Sequence, residues 1–294
     1  MELRDIEIFL TLAEELHFSR TAARLHVSQA RVSQAIKKQE RAVGAPLFER
    51  TSRSVRLTVV GEQLRDELLP AYRSLRDGMA KARLAAEGKT GVLRVGMLPS
   101  NAHDLRPFWE AFRARHPQWG LRIRHNPFVN AFGPLRDGDI DVLVAWLPVE
   151  EPDLTAGPVL YTEHCVALMS PDHRLAVRES VSIEVFADHG VIDGPAGPQY
   201  WENAFTPFQS PSGRPIDRLP PGMASLDDMF TYVSTGDFIH NLGAHVTRYH
   251  ARPDILYLPI HDWPGLRWGL VWREENEMTR ALAQVARDLG TLKG

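Results

Sequence analysis

The sequence predicts a small all-α unit with a basic hairpin, then one long helix, then a C-terminal α/β domain. Three observations carry this. Residues 18–57 read as helix, tight turn, helix and hairpin, and nine Lys/Arg stand against two acids between Leu16 and Val60 in a chain of net charge −3. Leu64, Leu68, Ala71, Leu75, Met79 and Ala82 fall three and four apart, as on one continuous helix. From Val92 onward, short apolar runs alternate with helical stretches.

A compact basic patch on an otherwise acidic chain points to a polyanion, most commonly a phosphate backbone. At 294 residues the chain has room for two or three domains, and 44% hydrophobic and 24% charged residues are ordinary for a globular protein. It contains no run of about 18 apolar residues that would span a membrane. The opening Met1-Glu2-Leu3-Arg4-Asp5 is acidic and amphipathic, unlike a signal peptide. No membrane partner and a cytoplasmic location are therefore expected. Cys165 is alone in an apolar run, so a buried, inert thiol is expected. No metal and no cofactor is expected.

Leu3, Ile6, Phe9, Leu10, Ala13 and Leu16 recur at helical spacing and predict the first helix. Ser19 is read as the N-cap of a second helix over 20–26. Its Ala22 and Ala23 let a crossing helix approach, as a helix-turn-helix requires. Ser28 is read as the N-cap of a third helix, about 29–43, with Val32 and Ile36 inward. Gln29, Arg31, Ser33, Gln34, Lys37 and Lys38 are left outside. Gly44 is expected to end this helix in the left-handed conformation. Pro46-Leu47-Phe48 returns to the core, and residues 50–57 alternate basic and small residues as an exposed β wing would.

Thr58 is read as the N-cap of the long helix, which runs to about 87 as a rod of about 45 Å. Pro70 predicts a kink near the preceding turn. The apolar seam has no partner on its own helix, so a second chain is expected against it. Residues 87–91, Glu-Gly-Lys-Thr-Gly, read as a hinge. Beyond it, strands are predicted at 92–98, 121–124, 140–145, 164–170, 190–193, 255–259 and 267–272. Helices are predicted around Leu105, Phe108 and Phe112, and at 226–234, 243–250 and 278–289. The run at 140–145 is nearly all apolar, as in a parallel strand buried on both faces.

Phe18-Ser19-Arg20-Thr21-Ala22-Ala23-Arg24-Leu25-His26-Val27-Ser28-Gln29, Val32-Ser33, Gly44-x-Pro46-Leu47-Phe48-x-Arg50 and Leu57-Thr58-x-x-Gly61 together resemble the winged helix-turn-helix of LysR-type transcriptional regulators. The resemblance is nearly continuous over 1–65. Ala30 departs from the family's usual proline, Gln34 from its arginine and Gln39 from its leucine. The resemblance places the third helix in the major groove of double-stranded promoter DNA. The expected DNA-binding set is Ser28, Gln29, Ala30, Arg31, Ser33, Gln34, Lys37, Lys38, Arg50, Arg53 and Arg56. Gln29 and Gln34 suit adenine, Arg31 guanine and Ser33 either, while Lys37, Lys38, Arg50, Arg53 and Arg56 suit phosphates. Gln39 either weakens the core slightly or faces water.

Leu93-Arg94-Val95-Gly96-x-x-Pro99-Ser100, Phe112-Arg113-x-x-His116-Pro117, Gly138-x-Ile140-Asp141-Val142 and Arg252-Pro253-Asp254 more loosely resemble the family's effector domain. That domain is similar to a type 2 periplasmic binding protein, with two α/β lobes around a cleft. The implied division is a winged helix-turn-helix domain over 1–58, a dimerisation linker helix over 59–88 and an effector-binding domain over 92–294. Lobe one would be about 92–162 plus 267–294, and lobe two about 163–266. Open α/β sheets bind ligands at the carboxyl ends of their strands. Pro99, Ser100 and Asn101 follow the first strand and are expected to open a helix whose free N–H groups favour an anion. Phe128, Val129, Asn130 and Trp146 follow the next two strands. Asp193 and Pro195 follow a strand of the second lobe, within a cleft-edge loop at 194–201. Asp237 and His240 make the lining polar and titratable, which would allow a pH-sensitive response.

The sequence offers two rival readings, an enzyme and a non-specific DNA-organising protein. An enzyme would need a catalytic constellation, and the tempting set His240, His245 and His250 is spaced so that successive side chains point about 140° apart on one helix. No nucleophile elbow, phosphate loop or His-Glu-x-x-His is present. A non-specific DNA-organising protein would need the basic patch but no large ligand domain. The reading favoured is a regulator that binds promoter DNA as a dimer through the linker helix, or as a tetramer, with a small organic anion as effector and RNA polymerase as a further partner.

Overall fold

The structure is a computed structural model describing residues 2–50, 55–194, 197–220, 222–223 and 225–293. The chain divides into two compact units, 1–88 and 89–294.

In the first unit, α1 (Leu3–Glu15), α2 (Phe18–Arg24) and α3 (Gln29–Val43) bury Ile8, Phe9, Leu12, Val32, Ala35 and Ile36 against one another. The N-cap of α2 is His17, whose ring accepts from Arg20 N, and not Ser19. The helix therefore starts two residues earlier than expected and ends before His26, which takes a left-handed φ of 53°. Of the two alanines, only Ala22 is buried. Ser28 caps α3 by accepting from Arg31 N at 3.2 Å, and Gly44 closes it at φ 81°. Leu47 and Phe48 return to the core, and β1 (Phe48–Arg50) pairs antiparallel with β2 (Val55–Leu57) as the wing.

Thr58 caps α4 (Val59–Ala86), which continues through Pro70. Leu64, Leu68, Leu69 and Tyr72 pack on the core of the first unit. This corrects the expectation that the whole seam awaits a second chain, because its first half is covered by α1. Further along, Leu75 and Met79 are 50% and 57% exposed.

The second unit begins with β3 (Gly91–Met97), α5 (Arg106–Arg115), β4 (Trp119–His125), a 3-10 turn at Phe128–Asn130, α6 (Gly133–Arg136) and β5 (Val142–Trp146). β3 pairs in parallel with both β4 and β5. Asp141 locks this arrangement, accepting from Arg94 N at 2.7 Å and from its guanidinium at 2.6 and 3.1 Å. Next come β6 (Thr155–Glu163), β7 (Cys165–Met169), α7 (Val185–His189), β8 (Val191–Ile192), α8 (Gln199–Phe205) and β9 (Arg218–Leu219). The chain ends with α9 (Leu226–Ser234), β10 (His240–Gly243), α10 (Val246–Tyr249), β11 (Leu256–Pro259), β12 (Leu266–Trp272), α11 (Glu277–Leu289) and β13 (Leu292–Lys293).

The larger sheet runs β13-β6-β12-β5-β3-β4, with β12 antiparallel to β5 and β6. The smaller runs β10-β7-β11. The chain passes from the large sheet to the small one after Glu163 and returns before Leu266. β6 and β10 have no counterpart among the strands expected from sequence, because neither shows an unbroken apolar run. α10 covers only four residues, with His245 and His250 at its two ends, and His240 lies in a strand. The three histidines therefore do not share a helix, as the rival enzyme reading assumed. Cys165 is fully buried, and its thiol is pushed up by that burial. Among the described residues no helix is long and apolar enough to cross a membrane.

Candidate functional site

On α3, the outward residues Gln29, Ala30, Gln34, Lys37 and Lys38 are exposed, while Arg31 and Ser33 are half-buried. The reason for the Arg31 position lies on α1. Asp5 is wholly buried and accepts from Arg31 at 2.8 Å and from Lys38 at 3.0 Å. Burial alone would raise the Asp5 carboxyl, but the hydrogen bonds from Lys38 and Arg31 outweigh it and hold the group below its ordinary value. Gln39 is buried in the same cluster and donates Nε2 to Asp5 O at 2.6 Å. It does not face water, and it exchanges the apolar contact expected there for a tie to α1. Arg31 and Lys38 thus join α3 to α1 as well as facing outward. Arg56 is exposed on the wing, the side chain of Arg50 is outside what the structure describes, and Arg53 lies outside the described residues.

The second unit holds a cavity of about 120 Å³ between the two sheets. Pro99, Ser100, Phe128 and Trp146 all line it. Asn101 does not: it is buried behind the wall, exchanging hydrogen bonds with Tyr161 OH at 2.9 and 3.1 Å. Val129, Asn130 and Asp193 are exposed outside it, and Pro195 lies outside the described residues. Residues 99–101 do not open a helix, since α5 begins only at Arg106. The row of free helical N–H groups expected there is absent, because the chain turns through residues 101–106 first, with Asp104 N bonded to Asn101 O. Ser100 Oγ is instead bonded to His250 Nε2 of the second lobe at 2.9 Å.

Four aromatic side chains carry the cavity between the lobes. Trp146 and Trp201 stack with centroids 3.6 Å apart and 9° between their planes, and Phe205 and Trp268 pack against Trp146. At one end of the cavity, β9 and β10 place Arg218 beside His240. His240 is fully buried. Burial first, and the Arg218 charge second, push its ring down to about 3. It stays neutral over pH 5.5–8, so the expected pH response loses its titrating group. His240 was legible as a lining residue, but Arg218 was not, since a two-residue strand leaves no pattern in the sequence. Phe205 was likewise missed, and Trp201, expected in the cleft-edge loop 194–201, stands on a helix over 199–205 instead.

Behind the cavity, Glu163 is buried and accepts from His245 N at 2.8 Å, from the His245 ring at 2.9 Å and from Trp268 Nε1 at 2.6 Å. It joins the two sheets where the chain crosses between them.

Comparison with known proteins accords with both units. The family model for the bacterial regulatory helix-turn-helix protein of the lysR family matches residues 3–62, and that for the LysR substrate binding domain matches 86–291. The regulator ShiR of Corynebacterium glutamicum is 31% identical over 98% of this chain and 96% of its own length. AlsR of Bacillus subtilis is 32% identical, over 65% of this chain and 64% of that protein. A full-length OxyR variant from Pseudomonas aeruginosa is 28% identical, with a TM-score of 0.50 over 98% of this chain and 100% of that one. Full-length CbnR solved with its target DNA gives 0.61 over 99% of this chain and 100% of that one, and at 18% identity shows the fold alone. ShiR and AlsR are named as regulators, not enzymes. The chain belongs to the LysR family of helix-turn-helix transcriptional regulators.

Proposed function

We propose that this regulator reads promoter DNA with α3 and the wing, and that a small organic anion in the second unit's cavity modulates that binding. The observation that carries the reading is the cavity itself. It lies between the two lobes and is lined by aromatic side chains from both. A ligand that binds one lobe arrangement more tightly than another shifts their populations, which is what an effector must do. On α3, exposed Gln29, Gln34 and Lys37 support base and phosphate contact. The exposed Leu75 and Met79 of α4 support a dimer through this helix, carrying two reading heads to an inverted repeat.

The test is fluorescence anisotropy of the purified protein on the intergenic DNA upstream of its own gene, against scrambled DNA of equal length at two salt concentrations. Affinity at least about a hundredfold tighter for the native sequence is expected, since specific sites win by about 10³ or more. Equal affinity on DNA selected from a random pool as well would overturn the reading in favour of non-specific phosphate binding.

A further inference from the structure

The polar groups of the cavity divide into two kinds. Those of the first lobe are already paired: Ser100 with His250, and Asn101 behind the wall with Tyr161. In the second lobe Thr206 and His245 are paired too, with Asn241 and Glu163, but Arg218 and His240 each keep an unpaired atom. Arg218 Nη2 donates to the carbonyls of Thr206 and Pro207, and its guanidinium lies 4.4 Å over the Phe208 ring. These contacts fix the group while leaving Nη1 buried without a hydrogen-bond partner. Beside it, His240 Nδ1 is buried and also without a partner. Buried polar atoms in folded proteins almost always find a partner, so two orphans on residues that line one cavity mark a place for a ligand's oxygen atoms.

We infer that Arg218 and His240 are the head-group anchor of this cavity, and that it takes a monocarboxylate with an aryl or branched-alkyl body. The inference rests on the cavity being the effector site, as proposed above.

The charge of the ligand follows from the lining. Among the described residues, Arg218 is the one permanently cationic side chain on it. Carbonyl oxygens hold its Nη2 without neutralising it. Glu202, which also lines the cavity, and Asp193 act on it through charge but form no ion pair with it among the described residues, and Glu202 Oε1 already accepts from Gly197 N at 2.6 Å. One carboxylate oxygen can therefore meet Nη1, in a charge-assisted bond. The neutral His240 ring presents Nδ1 as donor or acceptor according to its tautomer, and so matches the second oxygen or an adjacent hydroxyl. The body of the ligand meets Leu98, Phe128, Trp146, Trp201, Phe205 and Met229. A second carboxylate would be buried among these side chains with nothing to pair it, which is strongly unfavourable.

The test titrates phenylacetate and 4-methylpentanoate into the full-length protein and follows tryptophan fluorescence, to which Trp146 and Trp201 in the wall contribute. Phenylacetamide and glutarate are the neutral and dianionic controls. Saturable binding of at least one monocarboxylate is expected, with each control at least tenfold weaker. Arg218→Gln should weaken the monocarboxylate at least tenfold, and Arg218→Lys should recover part of it. His240→Gln serves if the arginine variants do not fold, and should weaken binding severalfold. Binding that is unchanged in these variants, amide or dianion binding as tight as the monocarboxylate, or no binding by either acid would overturn the assignment. Arg218-dependent binding that leaves promoter anisotropy unchanged would sustain the anchor and sink the effector reading instead.

Discussion

Trp146 and Trp201 each donate an indole N–H to the other's backbone carbonyl, both at 3.0 Å, while their rings lie stacked. One residue ends β5 of the large sheet and the other sits on α8 beyond the crossover, so the pair fastens the two lobes across the cavity. Neither indole N–H is left unpaired, which lets two large rings be buried. Trp201→Ala removes the stack and the bond from the Trp201 indole to Trp146 O, while the backbone carbonyl that accepts from Trp146 Nε1 remains. It should cost about 3–5 kcal/mol. Urea unfolding of the full chain is the measurement, and an unchanged midpoint would show that the lobes hold without this clasp.

The Glu163 carboxylate makes a second tie. Glu163→Ala leaves the His245 backbone and the Trp268 indole without an acceptor in a buried place, and a loss of about 3–5 kcal/mol is expected. Glu163→Gln keeps one acceptor oxygen and should recover part of it. The comparison of the two by thermal unfolding separates charge from hydrogen bonding.

Asp5 is the counterpart in the DNA-binding unit. Asp5→Ala frees Arg31 and Lys38 and should destabilise that unit by about 1–3 kcal/mol. It should also alter base preference in a selection from random DNA, because Arg31 is no longer held toward α1. A variant as stable as the parent, with the same preferred sequence, would show that the cluster neither supports nor orients the helix.

Base contacts and phosphate contacts should separate by salt dependence. Ser33→Ala and Gln34→Ala are expected to relax sequence preference, each by about 1–3 kcal/mol of discrimination. Arg53→Ala is expected to weaken binding to all DNA and reduce the salt slope by about one. A shift in preferred base with Arg53→Ala, at an unchanged slope, would reverse the sorting.

Acid should destabilise the protein through His240. Its folded value of about 3 lies below the ordinary value of 6.5. Between those values the unfolded chain holds a proton that the folded one does not. The stability contribution is therefore whole above pH 6.5 and is lost as pH falls toward 3. Below pH 6.5 the slope should approach about 1.4 kcal/mol per pH unit from this group alone. Melting at pH 7 and pH 5 for the parent and His240→Gln measures it, and the variant should show the shallower loss. Ligand binding across pH 5.5–8 should carry no His240 titration.

What the sequence alone determined is local. Ser28, Thr58 and Gly44 sit at the ends of α3 and α4 where the cap geometry needs them, and a cap involves atoms within four residues. The apolar period of α9 gave 226–234 to the residue, and the nearly all-apolar run at 140–145 located β5, which the structure places at 142–146. The basic surplus of 16–60 likewise needs no coordinates to be seen. What only the tertiary structure decided is pairing at a distance. Asp5 meets Arg31 and Lys38 across 26 and 33 residues, and Trp146 meets Trp201 across 55. Ser100 meets His250 across 150, turning an expected ligand contact into a bond between lobes. Periodicity reports which face of an element is buried, but not which distant side chain fills the space opposite. Arg218 and His240 acquire their meaning from that space, because a guanidinium nitrogen lacks a partner only once the fold has removed water from it.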